Sequence, residues 1–274
     1  MRCSPAVNDI GAPMHDVATQ ALILCIDVGG SHIKMSVVNR HGEMAAKPVE
    51  APTPRPATPA RVIATISRLA EHLPAGQRIS VGFPGVVRDG HIVTAPNLGT
   101  ASWHGFKLAK RLERDFKTPV RVLNDAEVQG LGVIAGEGIE LVVTLGTGFG
   151  SALFRDGKLM PHLELGQHPV WKCMTYDQYV GHAALLAKGT KHWNRRLKRA
   201  LGFVAALLNY DRLYLGGGNV RKVTLRLPKN VTRVANTAGI TGGVRLWDRD
   251  FDELFGSARH QKADPGIRDW HDSA

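Results

Sequence analysis

The chain has 274 residues with 35 Lys and Arg against 24 Asp and Glu, so its formal net charge is +11 and its pI about 9.9. A hydrophobic fraction of 43% beside a charged fraction of 22% describes a folded chain with a sizeable core, and excludes a disordered, collagen-like or disulfide-framework polypeptide. No apolar run approaches the roughly 18 residues of a membrane span, and Cys3, Cys25 and Cys173 form no close pair, so a cytoplasmic protein without a zinc framework is expected.

Residues 1–20 read as a flexible leader without a secretory apolar stretch. Residues 21–27 form an apolar, β-prone run ending in Gly29-Gly30, and 33–39 continue it, which predicts a hairpin. Pro48, Pro52, Pro54, Pro56 and Pro59 mark a stiff connector. Residues 60–70 place Val62, Ile63, Ile66 and Leu69 at helical spacing. A strand is predicted over 79–83, a charged helix over 108–116, a strand over 120–123 and a helix over 125–136. The strand predicted at 141–145 ends in Gly146-Thr147-Gly148-Phe149-Gly150, and 151–154 return from it. A long helix over 192–208 turns Trp193, Leu197, Leu201, Val204 and Leu208 inward, and a strand at 213–215 ends in Gly216-Gly217-Gly218. A last helix is predicted over 239–247, followed by a polar tail.

This is an α/β pattern with three strand-to-glycine turns, which allow backbone N–H groups to approach an anion closely. The P-loop pattern and the strict dinucleotide fingerprint are both absent. The charge is concentrated. The segment from Lys188 to Arg233 holds twelve basic residues and one acid, Asp211, so it carries the whole excess. Lys191, Arg195, Lys198 and Arg199 recur at helical spacing within it, which suits either an anion-binding face or a solvated basic one.

These residues carry a resemblance. Asp27-Val28-Gly29-Gly30-Ser31-His32-Ile33-Lys34 resembles the first phosphate loop of the sugar-kinase and actin superfamily, and Leu145-Gly146-Thr147-Gly148-Phe149-Gly150-Ser151-Ala152 resembles the second. Leu215-Gly216-Gly217-Gly218-Asn219 resembles its third glycine loop, and Asn124-Asp125-Ala126-Glu127 the catalytic segment of the ROK sugar kinases. Within that family, the connector at 51–59, Phe83-Pro84-Gly85-Val86-Val87, Ala95-Pro96-Asn97-Leu98, Ser102-Trp103 and the segment 236–243 are similar to bacterial polyphosphate glucokinases. The resemblance implies a two-lobed actin-like (ribonuclease H-like) α/β fold, each lobe a mixed sheet flanked by helices. The N-terminal lobe would span 21–123, the C-terminal lobe 124–236, the helix near 237–247 would return to the first lobe, and 248–274 would be a polar tail.

The resemblance implies phosphoryl transfer from polyphosphate, and ATP as a further donor, to the 6-hydroxyl of glucose or a close hexose. Asp125 would be the general base, although read alone it suits a helix N-cap better. Asp27 would hold magnesium, directly or through water, or else cap the Gly29-Gly30 turn. Gly29, Gly30, Ser31, Lys34, Gly146, Thr147 and Gly148 would meet phosphate. Asn97, Asn124, Asp125 and Glu164 would bind sugar, with turn roles open to the two asparagines. Trp103 suits the core better than the sugar wall. Gly216, Gly217 and Gly218, with Lys191, Arg195, Lys198 and Arg199, would meet nucleotide or polyphosphate.

The chain also departs from the family pattern. Gln167 stands where the family has His, and Pro169 falls near an expected second Glu. The family's cysteine-rich zinc segment is missing, so no structural zinc is expected, and the other histidines read mostly as surface residues. Two alternatives stand beside this reading: an ATP-only kinase for another sugar, and a catalytically weak sugar-binding regulator. The expected partners are a hexose and a polyanionic donor. Membrane is excluded, nucleic acid is not the expected partner, and a homodimer is compatible.

Overall fold

The computed structural model describes residues 21–235 and 238–252. The first apolar run forms β1 (Ile23–Val28) and turns back as β2 (His32–Val38), paired antiparallel from Ile23 against Val38 to Val28 against Ile33. Gly29 N–H donates to His32 O at 2.9 Å and closes the turn. The connector is not all loop, because β3 (Val49–Pro52) pairs antiparallel with β2. It is an edge strand, where proline is tolerated. Helix α1 (Pro59–Ala70) starts on a proline, whose missing N–H costs nothing there, and buries Val62, Ile63, Ile66 and Leu69.

Strand β4 (Arg78–Phe83) pairs parallel to β1. A small ribbon of β5 (Val87–Arg88) and β6 (His91–Ile92), then α2 (Thr100–Trp103) and α3 (Leu108–Phe116), lead to β7 (Val120–Asn124), parallel to β4. The first sheet therefore runs β3-β2-β1-β4-β7. Its core holds Ile26, Ile33, Met35, Ile66, Val81, Phe83 and Trp103. Burying each such side chain stabilises the fold by roughly 1.5–3 kcal/mol. Trp103 is fully buried and donates its indole N–H to Ala57 O at 2.8 Å, a core role.

Helix α4 (Asp125–Leu131) links the two sheets and is shorter than predicted. Beyond Leu131 the buried Glu140 accepts the N–H groups of Ala135 and Gly136, both at 2.7 Å, and of Glu137 at 3.2 Å, and draws the chain off the helix. Strand β8 (Ile139–Leu145) then pairs antiparallel with β9 (Phe149–Arg155), which continues into β10 (Lys158–Leu159). A hairpin of β11 (Pro169–Trp171) and β12 (Met174–Thr175) precedes α5 (Tyr176–Val180).

Helix α6 (His182–Leu208) begins ten residues before the predicted start, and Gly189, at φ 70° and ψ 160°, breaks it. Its inner face buries Trp193, Leu197 and Val204. Strands β13 (Arg212–Gly216) and β14 (Val231–Arg233) complete a second sheet, ordered β10-β9-β8-β13-β14.

The last predicted helix is a single turn, α7 (Ala238–Thr241), continued by 3-10 turns at Gly242–Trp247 and Arg249–Phe251. Close packing at two glycines explains the break. A Cβ on Gly242 would meet Val128 O at 2.0 Å, and one on Gly243 would meet Cys25 Sγ at 2.6 Å. Ser80 Oγ donates to Gly243 O at 2.6 Å and ties the segment to β4. The polar tail does not begin at Asp248, because Phe251 is buried and Asp252 meets Arg121 at 2.7 Å. The leader at 1–20, the tail from 253 and the pair Asn236-Thr237 lie outside the described residues.

Candidate active site

The carboxyl ends of β1, β7, β8 and β13 open on one cavity of about 410 Å³. Ligands of open α/β sheets bind at such strand ends, where loops are free to vary. The wall includes Gly29, Gly30, Ser31 and Lys34, then Gly146, Thr147 and Gly148, then Gly217, Gly218 and Asn219. Ser31 Oγ lies 3.1 Å from Thr147 Oγ1, so the first two glycine loops touch. Gly29 N–H is engaged with His32 O at 2.9 Å and Gly146 N–H with Gly148 O at 3.1 Å, which makes these two loop-shaping residues. Gly217 has φ 84°, and a Cβ there would stand 2.5 Å from Leu145 O, so only glycine brings the third loop this close to β8.

Asp27 and Asp125 also line the cavity. Asp27 faces Lys34 across the β1–β2 pair. Burial lifts its carboxyl to about 6 against the opposing pull of Lys34. Asp125 stands in the first turn of α4, but the cap of that helix is Asn124. Asn124 Oδ1 accepts Ala126 N–H at 2.9 Å, and Glu127 Oε2 accepts Asn124 N–H at 3.0 Å. The Asn124 amide also donates to Gly85 O at 3.1 Å, so it is engaged at both ends and fixes the turn that presents Asp125. Burial first, and then the negative charge of Asp27, lift the Asp125 carboxyl to about 8, although Ala126 N–H donates to it at 2.8 Å.

Asn97 and Glu164 are on the wall as well. Glu164 is 3.5 Å from His162 Nε2, and His162 Nδ1 is 2.8 Å from Glu127 Oε1. Burial disfavours a charge on His162, but its bonds to Glu127 and Glu164 outweigh this and lift it to about 9, so at neutral pH it is the cation between two carboxylates. His162 is therefore no surface histidine. His182, at the start of α6, lines the cavity and lies 3.2 Å from Asn219 Oδ1. Asp177 and Gln129 are two further wall residues that sequence reading missed. Glu127 lies 35 residues from His162, and Phe149 lies 28 residues from Asp177, so no local motif announces either pair.

Other candidates stand outside the wall. Gly216 is absent from it, with the Gln129 amide packed where its side chain would be. Lys191, Arg195, Lys198 and Arg199 are exposed on α6 beyond the Gly189 break and do not line the cavity. Arg199 instead stacks on Trp171 at 4.4 Å. Gln167, His168 and Pro169 are exposed, and Gln167 Nε2 donates to Asp177 at 2.9 Å. Among the described residues no three His, Cys, Asp or Glu side chains form a metal cage. The half-buried carboxylates of Asp27 and Asp125 on the cavity wall nonetheless fit magnesium, which takes one or two carboxylates and keeps water and phosphate oxygens as its other ligands. Among the described residues no helix is long and apolar enough to cross a membrane.

Residues 23–166 match the model of the ROK family. A polyphosphate glucokinase of Mycobacterium leprae (strain TN) is 31% identical over 233 residues, covering 79% of this chain and 72% of that protein. A polyphosphate glucokinase of Mycobacterium tuberculosis (strain ATCC 25618 / H37Rv) is 32% identical over 233 residues, covering 79% of this chain and 88% of that protein. The crystal structure of an inorganic polyphosphate/ATP-glucomannokinase from Arthrobacter sp. strain KM superposes with a TM-score of 0.76 at 30% identity, covering 82% of this chain and 97% of that one. By the matched family model and by relatives that span most of its length, this chain belongs to the ROK family, and its paired mixed sheets form the two-lobed actin-like fold of that family's sugar kinases.

Proposed function

We propose that this chain is a sugar kinase that moves a phosphoryl group from polyphosphate, or from ATP, to the 6-hydroxyl of glucose or a close hexose. The observation that carries the reading is Asp125. Its carboxyl is relieved of capping by Asn124 and opens on a cavity walled by glycine loops. In phosphoryl transfer, positioning and charge neutralisation supply most of the acceleration. The sugar oxygen forms its bond to phosphorus as the bridging oxygen leaves on the donor, and Asp125 takes the hydroxyl proton. In its ionised form, a carboxyl lifted to about 8 is a stronger proton acceptor than an ordinary one, so turnover should rise as pH rises through that value.

Gly30, Ser31, Thr147 and Gly148 supply donors to the phosphate, with Lys34 adding positive charge. Asp27 is the residue that would hold magnesium, directly or through water, and the ion when bound neutralises charge on the phosphoryl oxygens. Asn97 and Glu164 orient the sugar, and His162 fixes Glu164 by standing between it and Glu127.

Polyphosphate as donor draws on the basic segment. Asn194 on α6 donates to Lys222 O at 2.9 Å and accepts Thr224 N–H at 2.7 Å, so α6 adjoins the chain that leaves the third glycine loop. A chain of phosphates emerging past Gly217 and Gly218 would meet Arg221, Lys222, Lys191, Arg195 and Lys198. The position of the basic part of α6 outside the cavity favours the second reading, an ATP-only kinase. Purified protein assayed with glucose and each donor separates the two: faster turnover with polyphosphate supports the first, and turnover with ATP alone removes it.

A further inference from the structure

Gln129 lines the cavity, and the mechanism above does not use it. It stands on α4 four residues after Asp125, so the two share one face of that helix. Gln129 is only 5% exposed, and its amide Nε2 is buried without a hydrogen-bond acceptor among the described residues. The amide is pressed against Gly216 at the end of β13. A Cβ on that glycine would stand 2.4 Å from Nε2 and 3.0 Å from Cδ of Gln129, and 3.1 Å from Val234 Cγ2. The space is therefore made by a glycine, filled by a glutamine and closed by an apolar side chain.

A buried amide that bonds to nothing is disfavoured, since it has left the hydrogen bonds of water and gained none. Methionine or leucine would occupy the same space without that loss. Among the described residues the other buried amides, Asn39, Asn124, Asn194 and Asn219, are all engaged. Gln129 departs from them on a wall that faces a ligand. The last torsion of a glutamine is broad and roughly two-fold, so a half-turn takes the N–H₂ group off Gly216 and offers it to the cavity. The missing partner is then an acceptor that the ligand brings. Gly217 and Gly218, the next residues after Gly216, are on the same wall, so Gln129 stands at the third glycine loop, where the donor is placed above. Phosphate oxygens are acceptors, and a neutral N–H donor suits them on a wall that already carries the carboxylates of Asp27 and Asp125.

We propose that Gln129 binds the phosphoryl donor, its amide N–H₂ group donating to an oxygen of the donor's phosphate. This rests on the sugar-kinase reading and adds a donor-binding residue to it. The contact serves polyphosphate and ATP alike, because both present a phosphate group at the site of transfer. A glutamine that merely fills the space beside Gly216 would matter for stability and make no distinction between donor and sugar.

The test is calorimetric titration of the full chain with tripolyphosphate, with the non-hydrolysable ATP analogue AMPPNP and with glucose, each in the presence of magnesium, together with urea unfolding of the unliganded protein. Binding is read without turnover. Gln129→Met keeps the length of the side chain and removes the N–H₂ group. For this variant we expect affinity for both phosphate ligands to fall about 10- to 100-fold, and glucose affinity to change less than about 2-fold. Its urea midpoint should be unchanged or higher, because an unpaired buried donor has been removed. Gln129→Glu keeps the shape of the amide and puts an acceptor in place of the donor. It should weaken both phosphate ligands at least as far while sparing glucose, and it reads the same contrast if the thioether packs poorly. Unchanged affinity for the phosphate ligands in both variants, or an equal loss for these ligands and for glucose, overturns the role of Gln129 and leaves the kinase reading intact. Failure of the unaltered protein to bind glucose and either phosphate ligand overturns both.

Discussion

Replacing Asp125 with Asn keeps the size of the side chain and removes one of two neighbouring cavity charges. The unfolded chain ionises this carboxyl near 3.8, whereas burial and Asp27 hold it protonated in the folded protein up to about 8. The folded state therefore binds more protons over that interval. Stability from this group is fully present below about 4 and is lost as pH rises through 8. Without screening, the interval of about four pH decades at roughly 1.4 kcal/mol each would amount to ~6 kcal/mol. The side chain opens on the cavity, where water and ions screen it, so we expect ~1–3 kcal/mol. Near pH 4 the variant and the parent should unfold at nearly the same temperature. At pH 8.5 the variant should melt about 3–10 °C higher, the range for a chain of this size. Its turnover should fall by about 10²- to 10⁴-fold, the usual contribution of a positioned base. A variant equally destabilised at both pH values would refute the electrostatic account, and one keeping a tenth of parental turnover would remove Asp125 from the role of base.

Three further outcomes follow from the same geometry. Gly217→Ala forces a side chain toward Leu145 O at φ 84° and should cost about 1–3 kcal/mol in urea unfolding while raising the donor KM more than the sugar KM. Glu140→Ala strips the acceptor from the N–H groups of Ala135, Gly136 and Glu137 and from Tyr214 OH, and should destabilise by about 3 kcal/mol or more with sugar affinity unchanged in the protein that remains folded. Changing Lys191, Arg195 and Lys198 together to Gln should raise the polyphosphate KM and flatten its salt dependence while leaving the ATP KM unchanged, since a counterion-release slope scales with the number of phosphate contacts.

Some elements were legible because their determinants are local. Helix α3 runs over the predicted residues 108–116, and α1 differs by one residue from its prediction, since amphipathic spacing and a proline start are readable from the chain itself. Gly29-Gly30, Gly146–Gly148 and Gly216–Gly218 read correctly as turns at strand ends, but their convergence on one cavity is a tertiary fact. Strand β3 was hidden because an edge position overrides the usual meaning of proline. The first part of α6 was hidden by Gly189, which breaks the helix without ending it. His162 looked like a surface residue because its two carboxylates arrive from α4 and from the loop after β10. The basic segment shows how charge counting falls short: it gave the amount and the position in sequence, but the direction in which α6 leaves the cavity depends on packing of Trp193 and Leu197.

The central claim is phosphoryl transfer to a hexose in the cavity between the glycine loops. Formation of glucose 6-phosphate by the purified chain, with polyphosphate and with ATP as sole donors and magnesium present, tests it most directly. The account predicts product with both donors, faster with polyphosphate, and slowed about 100-fold or more in Asp125→Asn. Product formation at a tenth or more of the parental rate in Asp125→Asn, or none from the unaltered chain with either donor, would contradict it.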